Sequence, residues 1–257
     1  MLELQNITKR FNIGTVDEST VFDCFNFKVD KGEFVSIIGS NGSGKTTMLN
    51  LICGSLKPDD GKIIFNSNDI TNVSEFKRAK MIGRVFQEPK IGTCADLTIL
   101  ENMALADNKN KRFGLGRCVN KNRIDYYKTL LEQCNMGLEN RMGVQVGTLS
   151  GGQRQALALV IANMTDIELL ILDEHIAALD PKSSERVMEI TQELVEKNSI
   201  TTMMVTHNLR FAVEYGSRLV MLHEGKAVLD IKGKEKENAK VEDLLEIFDG
   251  ISIEKGN

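Results

Sequence analysis

The sequence predicts an α/β protein with a mainly parallel core sheet, an antiparallel β subdomain and an inserted α-helical subdomain. Three observations support this fold class: short apolar runs that end in polar residues, alternating runs near the N-terminus, and helical spacing of apolar residues in the middle of the chain. With 257 residues, of which 42% are hydrophobic, the chain can bury the core of one large domain.

The core sheet is predicted from apolar runs at residues 34–38, 169–172 and 203–205. These runs are rich in branched side chains, and they end at Gly39, Asp173 and Thr206. Strands buried on both faces of a parallel sheet have this appearance, and they present polar groups at their carboxyl ends. We therefore expect a polar site at that edge of the sheet.

The flanking elements follow from a change in periodicity. Period-two alternation predicts antiparallel strands at residues 2–8, 25–29 and 61–65, whereas helical spacing appears over residues 99–106 and 124–134. We predict one domain spanning 1–257, with the following divisions: core and β subdomain at 1–88 and 156–231, helical subdomain at 89–155, and C-terminal extension at 232–257. Residues 183–196 and 241–248 have the pattern of further amphipathic helices, and the basic stretch 109–117 that of a solvated loop.

Composition excludes several classes of function. A net charge of −4 argues against a nucleic-acid partner, because binding phosphates calls for a basic face. No apolar run reaches the roughly 18 residues of a membrane helix, and the N-terminus lacks a signal-peptide pattern. Five irregularly spaced cysteines and three histidines suggest neither disulfides nor a transition-metal site. We therefore expect a cytoplasmic protein with reduced thiols.

A phosphate-binding loop is predicted between the first buried run and an apolar helix. Its residues fit the pattern GxxxxGK[ST]: Gly39, Ser40, Asn41, Gly42, Ser43, Gly44, Lys45 and Thr46, followed by Thr47. Glycines let backbone N–H groups surround phosphate oxygens, Lys45 reaches the outer phosphates, and the Thr46 hydroxyl can bind Mg²⁺. The sequence therefore predicts binding of ATP with Mg²⁺.

The run at 169–172 ends in two acids that suit the other half of a nucleotide site. Asp173 can hold Mg²⁺ directly or through water, and Glu174 can act as the general base for the attacking water. Alone, this pattern is more often a strand that meets solvent. Downstream of a phosphate loop it becomes the expected partner.

The segment Leu149-Ser150-Gly151-Gly152-Gln153, placed before a predicted helix, carries a family resemblance. With it and the motifs above, the chain resembles the ATP-binding subunits of ABC transporters over nearly its whole length and in the family's motif order. The resemblance implies the P-loop NTPase fold of ABC ATPases and hydrolysis of ATP to ADP and phosphate. The nucleotide-binding residues it implies are Phe11, Gly39, Ser40, Asn41, Gly42, Ser43, Gly44, Lys45, Thr46, Thr47, Gln87, Ser150, Gly151, Gly152, Gln153 and Asp180. Catalytic roles fall to Lys45, Glu174 and His207, and contacts with Mg²⁺ to Thr46, Gln87 and Asp173.

The resemblance also implies a head-to-tail homodimer with two shared ATP sites. Ser150 to Gln153 and Asp180 would contact the nucleotide held by the other copy, and a helix N-terminus beside glycines suits an anion. Further implied partners are membrane permease subunits and an extracytoplasmic substrate-binding protein. They would hold the chain at the cytoplasmic face of the membrane.

Several of these positions also have a plain structural interpretation. Phe11 can be a core aromatic, Gln87 an exposed loop amide, His207 a capping residue and Asp180 the N-cap of a helix that begins with Pro181. His175 stands where many relatives carry proline or threonine, and it is given no catalytic role.

The expected job is to energise a bacterial importer of a small solute. Residues 11–16, 78–80, 82–87 and 173–175 with 177–182 resemble a subfamily predicted to take up amino-acid-like solutes such as tryptophan or tyrosine. The alternatives are a non-transport ABC ATPase that acts on a macromolecular complex, and an exporter or lipoprotein-release ATPase. A catalytically idle module is disfavoured because Lys45, Asp173, Glu174 and His207 are intact.

Overall fold

The computed structural model describes residues 1–109 and 118–253. Its strands are β1 (Leu2–Phe11), β2 (Ser19–Val29), β3 (Phe34–Gly39), β4 (Asp60–Phe65), β5 (Asn68–Asp69), β6 (Ile82–Val85), β7 (Leu169–Asp173), β8 (Thr201–Val205), β9 (Arg218–His223) and β10 (Lys226–Lys232). Its α-helices are α1 (Lys45–Cys53), α2 (Glu75–Arg78), α3 (Pro89–Gly92), α4 (Ile99–Asp107), α5 (Ile124–Glu132), α6 (Gly151–Asn163), α7 (Pro181–Asn198), α8 (Leu209–Glu214), α9 (Lys234–Glu237) and α10 (Val241–Ile253). The strands and helices predicted from periodicity are all present. Their bounds are longer than predicted except in α5, which ends at Glu132, before the predicted end at residue 134.

The backbone divides into two compact units, residues 1–74 with 201–257 and residues 75–200. This partition differs from the predicted division at residues 89–155, which stays a prediction. Most of the basic stretch 109–117 lies outside the described residues.

The first unit contains an antiparallel sheet in the order β2-β1-β4-β5. It also contains β3, which pairs in parallel with β8 and β9, while β10 is antiparallel to β9. Every residue of β3 and β8 is buried, as expected for strands covered on both faces. The carboxyl end of β3 leads directly into the phosphate loop.

The C-terminal extension forms structure in the same unit. Leu244 of α10 is 1% exposed and packs in a cluster with Ile38, Ala212 and Met221. The Lys236 ammonium of α9 donates to the carbonyl oxygen of Val213, near the end of α8. The predicted amphipathic piece is therefore a docked helix.

The second unit joins the parallel pair β6 and β7 to helices with well-defined ends. Thr98 and Ser150 begin α4 and α6 with capping boxes, and Asp180 with Pro181 begins α7. These caps satisfy backbone N–H groups that a helix start leaves unpaired. Gly83 lets β6 approach α6 closely, since a Cβ there would lie 2.7 Å from the Ile167 side chain and 3.1 Å from the Ala162 oxygen.

Candidate functional site

The phosphate loop wraps its backbone around one ammonium group. Lys45 Nζ donates to the carbonyl oxygens of Gly39 at 2.8 Å and Ser40 at 2.9 Å, and it lies 3.4 Å from Ser43 Oγ. The side chain is 6% exposed, so the loop holds the cation at its centre. Thr46, in the first turn of α1, is exposed. Such a loop presents a helix N-terminus and a cation to an anion.

Glycine is required in this loop at two positions for different reasons. Gly44 has φ +101° and starts α1, and a Cβ there would lie 2.8 Å from the Phe22 ring. Gly39 has φ +155°, and a Cβ there would overlap the backbone oxygen of Leu222 in β9. The loop therefore packs too closely for side chains at these sites.

In the first unit, Phe11 and His207 also lie at element ends. Phe11 closes β1, is partly exposed, and has Lys9 Nζ 5.4 Å from its ring centroid. His207 is exposed and follows β8, while the neighbouring Asn208 caps α8 by accepting from the N–H of Phe211 at 3.2 Å. The capping role considered for His207 belongs to Asn208, which leaves the imidazole outside the helix cap.

In the second unit, the acidic pair lies at the end of β7. Arg84 Nη2 donates to Asp173 Oδ2 at 2.6 Å, and the two side chains are only 13% and 15% exposed. Glu174 has φ +48°, a left-handed conformation that is uncommon for a non-glycine residue and that is enriched at functional sites. Gln87 is exposed in the loop after β6.

His175, the next residue in the chain, is buried. It is 1% exposed, and burial lowers the pKa of its imidazole to about 3, so the ring is neutral. Nε2 lies 3.4 Å from Thr191 Oγ1, whose hydroxyl donates to the carbonyl of Val187 at 2.7 Å, so Nε2 is the donor of the pair. Within the described residues Nδ1 has no hydrogen-bond partner. His175 thus anchors the segment after Glu174 to α7.

The signature segment and the aspartate loop come together at two helix starts. Ser150 Oγ accepts from the N–H of Gln153 at 3.3 Å, and Asp180 Oδ1 accepts from that of Ser183 at 3.1 Å. A Cβ on Gly151 would lie 3.1 Å from Leu179, and one on Gly152 would lie 3.0 Å from Ser183. The hydrogen bonds from Ser183 lower the pKa of the Asp180 carboxyl. Both segments therefore present helix N-termini at one place.

Sequence reasoning missed the two residues that fix the acidic segment. The motifs give Arg84 no role, although a charged residue inside an apolar strand is a signal of a buried partner. Nothing in the sequence pairs His175 with Thr191, 16 residues away. Among the described residues, no three His, Cys, Asp or Glu side chains converge to hold a metal by themselves.

Comparisons with known proteins identify the family of this chain. The sequence profile of the ABC transporter family matches residues 22–177, which is more than half of the chain. The chain belongs to the ABC transporter family. A tyrosine transport ATP-binding protein of Clostridioides difficile (strain R20291) is 46% identical over 97% of this chain and 99% of its own.

Solved ABC cassettes have the same fold. One is a dimeric post-hydrolysis state of the ATP-binding cassette MJ0796 bound to ADP and Pi, with a TM-score of 0.77, 29% identity, and coverage of 90% of this chain and 98% of its own. Another is the ADP conformation of the cassette MJ1267, with a TM-score of 0.81, 27% identity, and coverage of 100% and 99%. The predicted ABC ATPase fold is confirmed, and the chain is an ATP-binding, ATP-hydrolysing ABC subunit of a transporter. None of its described helices has the length and apolar character needed to cross a membrane.

Proposed function

We propose that this ABC subunit energises a bacterial importer of a small solute, of the amino-acid class that includes tyrosine. The near full-length identity of 46% to a tyrosine transport ATP-binding protein is the observation that carries the proposal. The subunit would act at the cytoplasmic face of the membrane, bound to permease subunits, with an extracytoplasmic binding protein delivering the solute.

The residues suit ATP hydrolysis with Mg²⁺. Mg²⁺ prefers hard oxygen ligands, keeps several waters and binds few protein ligands. The Thr46 hydroxyl and the Asp173 carboxylate are ligands of this kind, and Gln87 adds an amide oxygen. When bound, Mg²⁺ neutralises charge on the phosphates. In this proposal Phe11 stacks on adenine, residues 39–47 hold the phosphates, Glu174 orients the attacking water and takes its proton, and His207 donates to the γ-phosphate.

The second copy would complete each site. The start of α6, with Ser150, Gly151, Gly152 and Gln153, and the start of α7, with Asp180, lie side by side in one unit. Two adjacent helix N-termini favour an anion, and neither of these two helices begins at the phosphate loop, which precedes α1. The bound anion would be the γ-phosphate of the ATP held by the partner.

The permease would bind at a groove in the second unit, called here the Ile91 groove. It has a volume of about 630 Å³ and is lined by Phe76, Arg84, Ile91, Cys94, Leu105 and Ile161, among others. Phe76, Ile91 and Leu105 are 71%, 63% and 46% exposed, which is costly for large apolar side chains unless a partner covers them. A cytoplasmic segment of a permease with an apolar anchor is the proposed occupant.

The shared site is tested by Glu174→Gln. Without its general base the protein should retain ATP and form a stable dimer at saturating Mg²⁺-ATP, because hydrolysis no longer releases the closed state. Light scattering during size-exclusion chromatography measures the mass of the protein. The control is Glu185→Gln, which changes an exposed residue of α7 and should leave the protein monomeric. A Glu174→Gln protein that binds ATP but remains monomeric would contradict the shared site.

The transport role is tested by affinity capture from solubilised native membranes. Co-purification of a permease, and loss of that permease with Ile91→Asp, support the proposal, because a carboxylate in the Ile91 groove cannot be desolvated cheaply. Recovery of ribosomes or DNA-repair proteins in place of a permease would favour the non-transport alternative. Uptake of labelled tyrosine by cells that lack the subunit then tests the solute class.

A further inference from the structure

Arg84 belongs both to the Ile91 groove and to the acidic end of β7. Arg84 is one of the residues that line the groove, and its Nη2 donates to Asp173 Oδ2 at 2.6 Å. The contact is not visible in the sequence, because Asp173 lies 89 residues further along the chain. The parallel pairing of β6 with β7 makes the contact, because Arg84 is in register with Ile171, two residues before Asp173.

The environment of Arg84 favours a fixed geometry. The side chains of Arg84 and Asp173 are 13% and 15% exposed, so water and salt screen their attraction weakly. The Phe86 ring centroid lies 4.7 Å from the guanidinium carbon, and a planar cation is favoured over a ring face. The ring and the carboxylate together restrict the guanidinium.

The strand that carries Arg84 is held close to α6. Gly83 permits contact with Ala162 and Ile167, and Gln155 Nε2 in α6 donates to the carbonyl of Phe86 at 3.2 Å. Gln155 is fully buried. The backbone of Arg84 therefore has little room to move. A change in the groove must act on the Arg84 side chain.

We propose that Arg84 is a positioning residue that links occupation of the Ile91 groove to the orientation of the Asp173 carboxylate. The inference rests on the proposed function, which assigns Mg²⁺ to Asp173 and a permease segment to the groove. Mg²⁺ demands near-ideal octahedral geometry, so a carboxylate ligand held in one orientation binds it better than a free one. A carboxylate offers enough lone pairs to accept from Arg84 and to face the metal or its water at the same time.

The metal arm of the test uses Mn²⁺ as the probe. Electron paramagnetic resonance measures the Mn²⁺ affinity of the ADP-bound protein, and fluorescence measures ADP affinity in EDTA. We expect Arg84→Gln to weaken Mn²⁺ binding about tenfold or more, as for other partners of metal ligands, with Arg84→Lys in between and ADP affinity in EDTA unchanged. Lys109→Gln, which removes another cation of the groove, should change Mn²⁺ affinity less than about twofold, because it leaves the hydrogen bond from Arg84 to Asp173 intact.

The groove arm uses the native Cys94, an exposed groove residue, as the attachment point for an environment-sensitive dye. Cys24→Ser and Cys118→Ser remove the other exposed thiols. In the protein with these two substitutions, Mn²⁺ added to the ADP complex should shift the dye emission. In the same protein carrying Arg84→Gln as well, Mn²⁺ should cause no shift. The same emission shift with and without Arg84 would overturn the link.

A further variant separates this inference from the proposed function. Asp173→Asn should weaken Mn²⁺ binding at least as much as Arg84→Gln. If Asp173→Asn weakens it and neither Arg84→Gln nor Arg84→Lys does, the role of Arg84 is wrong and the metal site stands. If Asp173→Asn leaves Mn²⁺ affinity unchanged, the proposed metal site is wrong, and this inference falls with it.

Discussion

In the phosphate loop, residues 39–46, the backbone surrounds one side chain, whereas in the acidic segment, residues 173–180, side chains hold the backbone. The loop depends on glycine conformations and on hydrogen bonds within six residues of chain. The acidic segment depends on Arg84 and Thr191, which are distant in sequence. A site that needs local backbone geometry tolerates few substitutions within its own residues. The geometry of a site built from remote contacts can also be changed by substitutions in distant parts of the chain.

The strongest challenge to this comparison is Gly39→Ala. Its Cβ would overlap the backbone oxygen of Leu222, which cannot rotate away, so the loop must open. We expect ADP affinity to fall at least about a thousandfold, or about 4 kcal/mol. Isothermal titration calorimetry measures the affinity.

Gly42→Ala is the matched control for that change. Gly42 has φ +79° but nothing within 4 Å of an added Cβ, so the cost is the left-handed conformation alone, about 1–2 kcal/mol. The loss of affinity should therefore stay near tenfold. Equal losses for the two variants would show that packing against β9 does not shape the loop.

His175→Ala should affect folding of the second unit and spare the phosphate loop. It leaves a cavity and removes the donor to Thr191, at a cost of about 2–3 kcal/mol in the free energy of unfolding. Urea unfolding followed by circular dichroism measures the loss. Since the phosphate loop is built from local contacts, the ADP affinity of the folded protein in EDTA should not change. A large change in affinity would show that the loop depends on the acidic segment.

Ser150→Ala and Thr98→Ala compare two capping boxes in the second unit. Each removes a hydroxyl that accepts from a helix N–H, so each should cost about 1 kcal/mol of unfolding free energy. In a Glu174→Gln background, only Ser150→Ala should also weaken the ATP-induced dimer, as measured by sedimentation. Equal dimerisation of both variants would leave Ser150 with a capping role alone.

The smallest effect is expected from alkylation of the cysteines. Cys24, Cys94 and Cys118 are exposed, whereas Cys53 and Cys134 are buried, and burial raises the pKa of Cys134 to about 11. A raised pKa keeps the thiol protonated and unreactive until the pH approaches that value. At pH 8.5, iodoacetamide should label the three exposed thiols of the native protein without changing ADP affinity, as mass spectrometry can show. Labelling of Cys134 before unfolding would indicate looser packing in the second unit than the contacts imply.

Periodicity predicted the strands and helices well because their patterns are local. Residues 99–106 and 124–134 show helical spacing, and α4 and α5 form there. The amphipathic pattern at residues 241–248 predicts a short C-terminal helix, but the docking of that helix through Leu244 depends on residues in β3, α8 and β9, which no local pattern reveals.

The sequence by itself determined the chemistry of this protein: a glycine-rich loop around Lys45, an acidic pair, a serine that starts a helix, and the family these motifs define. These features are readable because each needs particular residue types at short spacing. Only the tertiary structure decided what holds the acidic pair, with Arg84 on Asp173 and Thr191 on His175, and which helix starts lie together. The physical reason is that strand pairing and burial bring together residues from distant parts of the chain, and their charges and hydrogen bonds act only at contact distance.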